Sequence, residues 1–321
     1  MKKLTIGIMG GSGFVGGVLA NRLVERGHTV RIFTRRRDHA RESWLLPNTH
    51  VIEVDPAEPE QLNDAFSGCA GVVNLAGILN ERGDNGEGFR RVHVDLALRV
   101  AKACKHADVA QLVHMSALNA DSFAASYYLR SKGEAEKLLL AEHGKRLAVT
   151  ILRPSVIFGP HDDFTNRFAR LVRFTPGVFP LARATARFQP VYVGDVADAI
   201  VHMLETRAGS GQRHDIAGPE IVTLGEIVDY VARVSGHPVR VIPLGNLLSR
   251  LQANVLEHMP GKPFSRDNLR SLEEDSVCGP INVLDTFGIT PTPMRVIVPR
   301  YLAGNDVRRR YYDYRTLAGR D

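Results

Sequence analysis

Hydrophobic positions along the chain fall into two kinds of segment that alternate through its first half. Short continuous apolar runs are typical of buried strands, and longer segments with apolar residues three or four apart are typical of helices. The strand-like runs cover residues 4–9, 29–34, 51–55, 72–75, 111–116 and 147–152. The clearest helical segments between them cover residues 14–26, 90–106 and 127–143.

Strands and helices that alternate in this order, with short turns between them, build a parallel sheet covered by helices on both faces. We therefore predict an α/β fold, a doubly wound Rossmann sheet with a smaller C-terminal substrate lobe. The sheet domain should span residues 1–158 and be completed by residues 191–217, where a strand and a helix return. Residues 159–190 and 218–305 should form the small lobe, and residues 306–321 a basic tail.

A glycine-rich turn, GGSGFVGG at residues 10–17, joins the first predicted strand to the first predicted helix. Such a turn aims the free amide groups of a helix N-terminus at a ligand, and glycines let a phosphate approach the backbone. The simpler alternative is a turn whose glycines only let helix and strand pack closely. In this alternating context we favour a pyrophosphate site. Its residues are Gly10, Gly13, Phe14, Val15 and Gly16.

The residues after the second predicted strand bear on which dinucleotide the turn would hold. NAD sites usually place an acidic residue there, whereas this chain has Arg35, Arg36 and Arg37. Guanidinium groups suit a 2′-phosphate, so we predict NADP(H), with NAD as the alternative cofactor. Arg35 and Arg36 are the candidate contacts, although an arginine run is also common on a solvated surface. Asp55, after the third strand, could accept a hydrogen bond from adenine or cap the following helix.

Tyr128 and Lys132 stand four residues apart and so share one face of the helix that follows the fifth strand. A nearby ammonium favours the phenolate, so Lys132 should lower the pKa of Tyr128 toward neutrality. Tyr128 could then exchange a proton with a substrate oxygen while hydride moves, and Lys132 could hold the nicotinamide ribose. The alternative is a chance pair on a helix surface.

Composition limits the other classes of function. Of the 321 residues, 41 are basic and 35 acidic, and two arginine triplets account for the whole excess of +6, so a nucleic-acid-binding surface is not indicated. Three widely separated cysteines show neither metal-ligand nor redox spacing, which argues against a metal site and for a reducing, cytoplasmic compartment. No apolar run reaches the roughly 18 residues that a membrane span needs. The basic tail leaves a protein partner or peripheral membrane association open.

Several motifs occur in an order and spacing that resemble the short-chain dehydrogenase/reductase superfamily, in its extended or atypical, NAD-dependent epimerase/dehydratase-like branch. They are GGSGFVGG, VVNLAGIL, LVHMSALNAD, YLRSKGEAE, ILRPSVIFGP and FQPVYVGDVADAI. The resemblance covers residues 4–235. Within the branch it is strongest to the group of the nucleotide-binding accessory subunit of respiratory complex I and its bacterial relatives.

The resemblance implies cofactor contacts that spacing alone does not give. Ala76 and Gly77, after the fourth strand, would line the cofactor. Pro154, with Arg153 before it, would flank the nicotinamide end. These four residues complete the cofactor site that the resemblance implies.

The catalytic residues implied by the resemblance are Tyr128, Lys132 and Ser116. Active members of the branch usually carry a serine or threonine just past the fifth strand to hydrogen-bond the substrate oxygen. In this chain Ser116 comes early, and Leu118 occupies the usual place. The resemblance thus implies an oxidoreductase that moves hydride between the nicotinamide and a carbonyl or quinone of a small-molecule substrate. A non-catalytic NADPH-binding structural or assembly protein is the first alternative, and a nucleotide-sugar epimerase or dehydratase is the second.

Overall fold

The computed structural model of the chain describes residues 3–38, 40, 45–175, 177–259 and 262–303. Its strands are β1 (Thr5–Met9), β2 (Thr29–Thr34), β3 (Thr49–Glu53), β4 (Gly71–Asn74), β5 (Gln111–Met115), β6 (Ala148–Pro154), β7 (Ile157–Phe158), β8 (Gly177–Ala182), β9 (Arg187–Phe188), β10 (Val191–Tyr192), β11 (Arg213–Ile216), β12 (Val222–Thr223) and β13 (Val239–Leu244).

The helices are α1 (Phe14–Glu25), α2 (Pro59–Phe66), α3 (Glu87–Phe89), α4 (Leu96–His106), α5 (Tyr127–Ala141), α6 (Thr165–Arg173), α7 (Val193–Thr206), α8 (Leu224–Val234), α9 (Asn246–Glu257), α10 (Arg266–Ser271), α11 (Val283–Thr286) and α12 (Met294–Leu302). A π-helical turn (Arg90–Asp95) joins α3 to α4. The segment predicted as one helix over 90–106 therefore begins with a wider turn.

The central sheet has seven strands in the order β11-β6-β5-β4-β1-β2-β3, and every neighbouring pair is parallel. Strand β1 lies between β2 and β4, so the chain order reverses beside it. Ligands of doubly wound sheets bind at the carboxyl ends of the strands next to such a reversal. The predicted α/β Rossmann fold is confirmed.

Helices cover both faces of the sheet, as its continuous apolar strands require. One cluster of buried side chains, including Ile8, Leu19 and Ile200, packs α1 and α7 on one face. The other, including Phe66 and Leu112, packs α2 and α4 on the opposite face. Both faces are therefore hydrophobic, which explains why the strands lack an alternating polar pattern.

A third buried cluster gathers α6, α8, α12 and the parallel pair β8 and β13 away from the central sheet. This cluster provides a separate core for the proposed small lobe, whose boundaries stay a proposal. Val283 and Leu284 of α11, which the boundaries assign to the small lobe, pack instead in the first cluster, with α1 and α7. The predicted basic tail, 306–321, lies outside the described residues.

Two kinds of feature are absent from the described residues. Within those ranges, no helix combines the length and the apolar character needed to cross a membrane. In the same part of the chain, no group of three or more His, Cys, Asp or Glu side chains could hold a metal ion.

Candidate active site

The glycine turn lies at the carboxyl end of β1, where the strand order reverses. Gly10 has a φ of +76°, in the left-handed region that favours glycine, and a Cβ there would lie 3.1 Å from the backbone nitrogen of Ala76. A Cβ on Gly16 would lie 2.5 Å from the carbonyl oxygen of Gly10 and from the Cα of Gly11. The helix thus packs directly on the turn, as expected if the glycines allow helix and strand to pack closely.

The top of the same turn is open to a ligand. Gly13 is the N-cap of α1 and is exposed, no side chain caps the helix there, and the first turn carries no acidic residue. The first amide groups of a helix have no partner within the helix, and together with the helix dipole they bind anions. The turn therefore fits a pyrophosphate. Phe14 and Val15 are half-buried behind it, and the ring of Phe14 would lie 3.4 Å from a Cβ on Gly159.

The arginines after β2 divide into two groups. Arg37 donates from its guanidinium to the carbonyl oxygen of Val51. Arg35 and Arg36 are exposed, and neither guanidinium has a hydrogen-bond or ion-pair partner within the described ranges. The hydroxyl of Thr34 accepts from the amide of Arg36 and donates to its carbonyl, which shapes this turn. Two unpaired cations therefore stand at the carboxyl end of β2.

Asp55 lies exposed after β3, and its Oδ1 accepts a hydrogen bond from the amide of Ala57 at 2.9 Å. Helix α2 begins only at Pro59, with Glu58 as its N-cap. Asp55 thus closes the turn before the helix, and the alternative role as a cap of that helix is wrong.

The loop after β4 meets helix α5. Ala76 donates from its amide to the side-chain oxygen of Asn74. Gly77 is exposed, and a Cβ there would lie 3.5 Å from the Nζ of Lys132. Gly10 lies against the backbone beside Ala76. The glycine turn, this loop and Lys132 therefore lie together at the carboxyl ends of the central strands.

Lys132 is almost fully buried, and its Nζ donates to the carbonyl oxygen of Met115 at 2.9 Å. Burial lowers the pKa of Lys132 to about 8, while the Glu136 carboxylate opposes this shift. A buried lysine whose pKa is lowered, at the carboxyl ends of the strands, is typical of a functional site.

Tyr128 is half-buried on the same helix face. Its hydroxyl has no hydrogen-bond partner among the described residues. The oxygen is not buried, so solvent can reach it. Burial raises the pKa of Tyr128 to about 12. The expectation that Lys132 would bring this pKa down toward neutrality is wrong, because burial disfavours the charged phenolate.

Sequence reasoning missed His93, which lies in the π-helical turn. Its Nε2 accepts from the amide of Ile78 at 3.1 Å, and its Nδ1 is 2.8 Å from the hydroxyl oxygen of Ser131. Because that hydroxyl donates to the carbonyl oxygen of Tyr128, the imidazole must donate from Nδ1, which assigns the neutral tautomer. Burial lowers the pKa of His93 to about 2, so it stays neutral. His93 thus ties the loop after β4 to α5.

Ser116 is committed elsewhere. Its hydroxyl donates to Oε1 of Glu136 at 2.5 Å, and both residues are buried. Glu136 also accepts from Arg153 and, at 2.7 Å, from Arg213. Leu118, at the usual serine position, is buried as well. Ser116 therefore presents no free hydroxyl to a substrate and is a structural residue in this arrangement.

Residues 152–154, the LRP segment, lie at the end of β6. The guanidinium of Arg153 binds Glu136 and the carbonyl oxygen of Ala120, and its position beside a nicotinamide stays a prediction. Pro154 is buried, and its carbonyl oxygen accepts from the amide of Leu118. Pro154 supports the loop that precedes α5.

Asp267 of α10, in the segment assigned to the proposed small lobe, contacts the beginning of α5. Its Oδ1 accepts from the amide of Tyr127 at 2.6 Å, and its Oδ2 accepts from the amide of Tyr128 at 3.0 Å. Burial raises the pKa of this carboxyl group, and the two hydrogen bonds oppose the shift. Asp267 therefore holds the first turn of the helix that carries Tyr128 and Lys132, across about 140 residues of sequence.

These features define an α/β protein with a glycine turn at the reversal point of its sheet and a Tyr–Lys pair beside it. The model of the family described as "NAD dependent epimerase/dehydratase family" matches residues 6–217. The chain belongs to the NAD-dependent epimerase/dehydratase family. The resemblance inferred from the motifs is confirmed, whereas a preference for NADP over NAD stays a proposal.

Two curated relatives illustrate the range of this family. The chain is 28% identical over 319 residues to the mitochondrial NADH dehydrogenase [ubiquinone] 1 alpha subcomplex subunit 9 of Mus musculus, covering 97% of this chain and 81% of the relative. It is 30% identical over 240 residues to the ceramide reductase of Caulobacter vibrioides, covering 74% of this chain and 73% of that protein. The similarity to the complex I subunit agrees with the resemblance read from the motifs.

Solved structures share the fold. MoeE5 in complex with UDP-glucose and NAD has a TM-score of 0.72 at 20% identity, with 96% of this chain and 99% of that chain covered. The protein gox2253 has a TM-score of 0.74 at 21% identity, with coverages of 94% and 97%. At these identities the likeness concerns the fold alone.

Proposed function

We propose that this chain is an NADP(H)-dependent oxidoreductase that reduces a carbonyl or quinone group of a small-molecule substrate. One observation carries the proposal. Tyr128, whose hydroxyl has no hydrogen-bond partner in the described part of the chain, and the buried Lys132 share the face of α5 that meets the loop after β4 beside the glycine turn. The family supports a nicotinamide dinucleotide, and the choice of NADP(H) rests on Arg35 and Arg36.

The described residues offer a complete set of contacts for such a cofactor. The α1 amides above Gly13 would bind the pyrophosphate, and Arg35 and Arg36 would bind the 2′-phosphate through charge-assisted hydrogen bonds. The second carboxylate oxygen of Asp55, Oδ2, would accept a hydrogen bond from adenine. The remaining proposed contacts are Gly10, Phe14, Val15, Gly16, Ala76, Gly77, Tyr128, Lys132 and Pro154.

A nicotinamide held by these residues would supply hydride chemistry for the reduction of a carbonyl group, and the carbonyl oxygen would also need a proton. With a pKa of about 12, Tyr128 holds its phenolic proton at neutral pH and would donate it to that oxygen. Lys132, with a pKa of about 8, is still mostly an ammonium at pH 7 and would stabilise the phenolate that remains. His93 and Asp267 would keep α5 in position during this transfer.

A non-catalytic role for bound NADPH is the first alternative, and a specific observation favours it. The hydroxyl of Ser116 is committed to Glu136, and Leu118 offers none, so Tyr128 would have to orient the substrate oxygen without a second donor. One relative is a subunit of a respiratory complex, which supports an assembly role with a protein partner. A nucleotide-sugar epimerase or dehydratase is the second alternative, and it fits poorly with two unpaired arginines at the end of β2.

The test follows the near-ultraviolet absorbance of the chain saturated with NADPH while aldehydes, ketones and quinones are added one at a time. We expect one class to oxidise NADPH, and Tyr128→Phe to lower kcat by roughly 100-fold or more. Tyr127→Phe is the matched control, because its ring packs between the Arg130 and Arg270 guanidiniums, 5.3 Å from each. NADPH that binds but is stable toward every class would favour the non-catalytic role.

The cytoplasmic location stays a prediction, which rests on the cysteine pattern. A protein partner, whose identity the sequence does not give, also stays a prediction, and the similarity to a complex I subunit supports it.

A further inference from the structure

Helix α9 exposes a broad apolar surface. Its inner face is buried through Ser249, Ala253 and Glu257. Its outer face carries side chains that core helices usually bury. They are Leu247 (80% exposed), Leu251 (58%), Val255 (56%), Leu248 (52%) and, just past the helix, Met259 (48%). Large apolar side chains grouped on one side of a helix, unlike single ones, indicate an interaction site.

The apolar surface continues onto the neighbouring pair of strands. The side-chain amide of Gln252 joins α9 to β8, donating to the carbonyl oxygen of Pro180 and accepting from the amide of Ala182. Pro180 is paired with Ile242 of β13, which is 42% exposed. We call Ile242, Leu247, Leu248, Leu251, Val255 and Met259 the α9 face.

The charged residues within the segment that carries the α9 face have one sign. From residue 239 to residue 256 the chain contains two arginines, Arg240 and Arg250, and no acidic residue. Both arginines are exposed, and neither has an ion-pair or hydrogen-bond partner within the described ranges. The one acid of α9, Glu257, is buried and accepts from Arg266 at 2.7 Å. The surface is therefore apolar and basic.

We propose that the α9 face docks on an anionic lipid surface, with α9 lying in the plane of the interface. A helix with one apolar side and flanking arginines buries its leucines at the boundary between headgroups and acyl chains, and anionic headgroups attract the arginines. A second copy of the chain is a poorer occupant, because a symmetric contact would bring the unpaired arginines of the two copies together. This proposal goes beyond the proposed function and does not depend on it.

The test is co-sedimentation of the full chain with vesicles of phosphatidylcholine alone and of phosphatidylcholine mixed with phosphatidylglycerol. We expect binding to the mixed vesicles, and a loss of roughly tenfold or more in the double variant Leu247→Ser, Leu251→Ser. Ile281→Ser is the matched control, since Ile281 is 74% exposed but lies outside the α9 face. Arg240→Gln with Arg250→Gln should weaken binding to the mixed vesicles severalfold. An unchanged thermal midpoint and NADPH affinity show that each variant is folded.

Each other outcome overturns the proposal. If the wild-type chain does not bind the mixed vesicles, the α9 face has another occupant; a concentration-dependent dimer that the leucine variant abolishes would identify a second copy. If the leucine variant binds as well as the wild type, attraction by the arginine-rich tail alone accounts for the binding, and the α9 face does not dock.

Discussion

Gly16→Ala is expected to weaken NADPH binding, while the same change at the neighbouring Gly17 should leave it intact. A Cβ on Gly16 would lie 2.5 Å from the oxygen of Gly10 and the Cα of Gly11, about 1 Å inside the separation of roughly 3.5 Å at which such atoms are comfortable. Both contacts are backbone atoms, so no side-chain rotation relieves the overlap. The N-terminus of α1 must therefore move away from the turn.

A movement of about 1 Å lengthens hydrogen bonds from the α1 amides beyond their useful range, and we expect NADPH affinity to fall at least tenfold. Overpacking should also cost about 1–3 kcal/mol of stability. A Cβ on Gly17 would meet no atom within 4 Å, so Gly17→Ala should instead stabilise α1 by about 0.5–1 kcal/mol. Calorimetric titration and chemical denaturation of both variants measure these effects. Equal NADPH affinities for the two variants would refute the reasoning.

Three further changes test separate parts of the site. Replacing Arg35 and Arg36 together by glutamine should weaken NADPH binding roughly 10- to 100-fold and leave NADH binding unchanged, as titration of both dinucleotides will measure. Lys132→Met removes a buried ammonium, so denaturation at pH 7 should show a gain of about 1–3 kcal/mol, while NADPH turnover is lost. Ser116→Ala leaves Glu136 with one donor fewer, and we expect a stability loss of about 1–2 kcal/mol without change in turnover.

The pH dependence of stability separates the role of Lys132 from general packing. Its pKa in the folded chain, about 8, lies below its ordinary value of 10.5. The unfolded chain therefore binds more protons between these two pH values, and the cost of burying the ammonium, fully present below pH 8, disappears as pH rises through that window. The wild-type stability should gain this contribution and Lys132→Met should not. A parallel pH course for both proteins would contradict the burial of a charged Lys132.

The sequence was sufficient for the sheet and the glycine turn because both are local patterns. A short apolar run between two turns predicts a strand, whichever strand it pairs with. The conformation of Gly10 depends on its immediate neighbours. The roles of His93 and Asp267 could not be found in this way. His93 acts because a π-helical turn directs it at α5, and Asp267 acts because α10 folds back over about 140 residues.

The chemistry of single groups depends on burial that spacing does not reveal. The interval between Tyr128 and Lys132 indicates that they share a helix face, but desolvation sets both pKa values, raising one and lowering the other. The family resemblance implied a catalytic role for Ser116, although it comes early in the sequence. Its hydroxyl donates to Glu136, which lies 20 residues further along the chain. Glu136 also accepts a hydrogen bond from Arg153.

A calorimetric titration of the wild-type chain with NADPH and, separately, with NADH tests most directly whether the glycine turn belongs to a dinucleotide site. We expect one dinucleotide per chain and an affinity for NADPH at least roughly tenfold higher, since only NADPH offers a 2′-phosphate to the free arginines after β2. Failure to bind either dinucleotide would contradict the assignment of the glycine turn as a cofactor site. Tighter binding of NADH would keep the site and contradict the proposed NADP(H) preference.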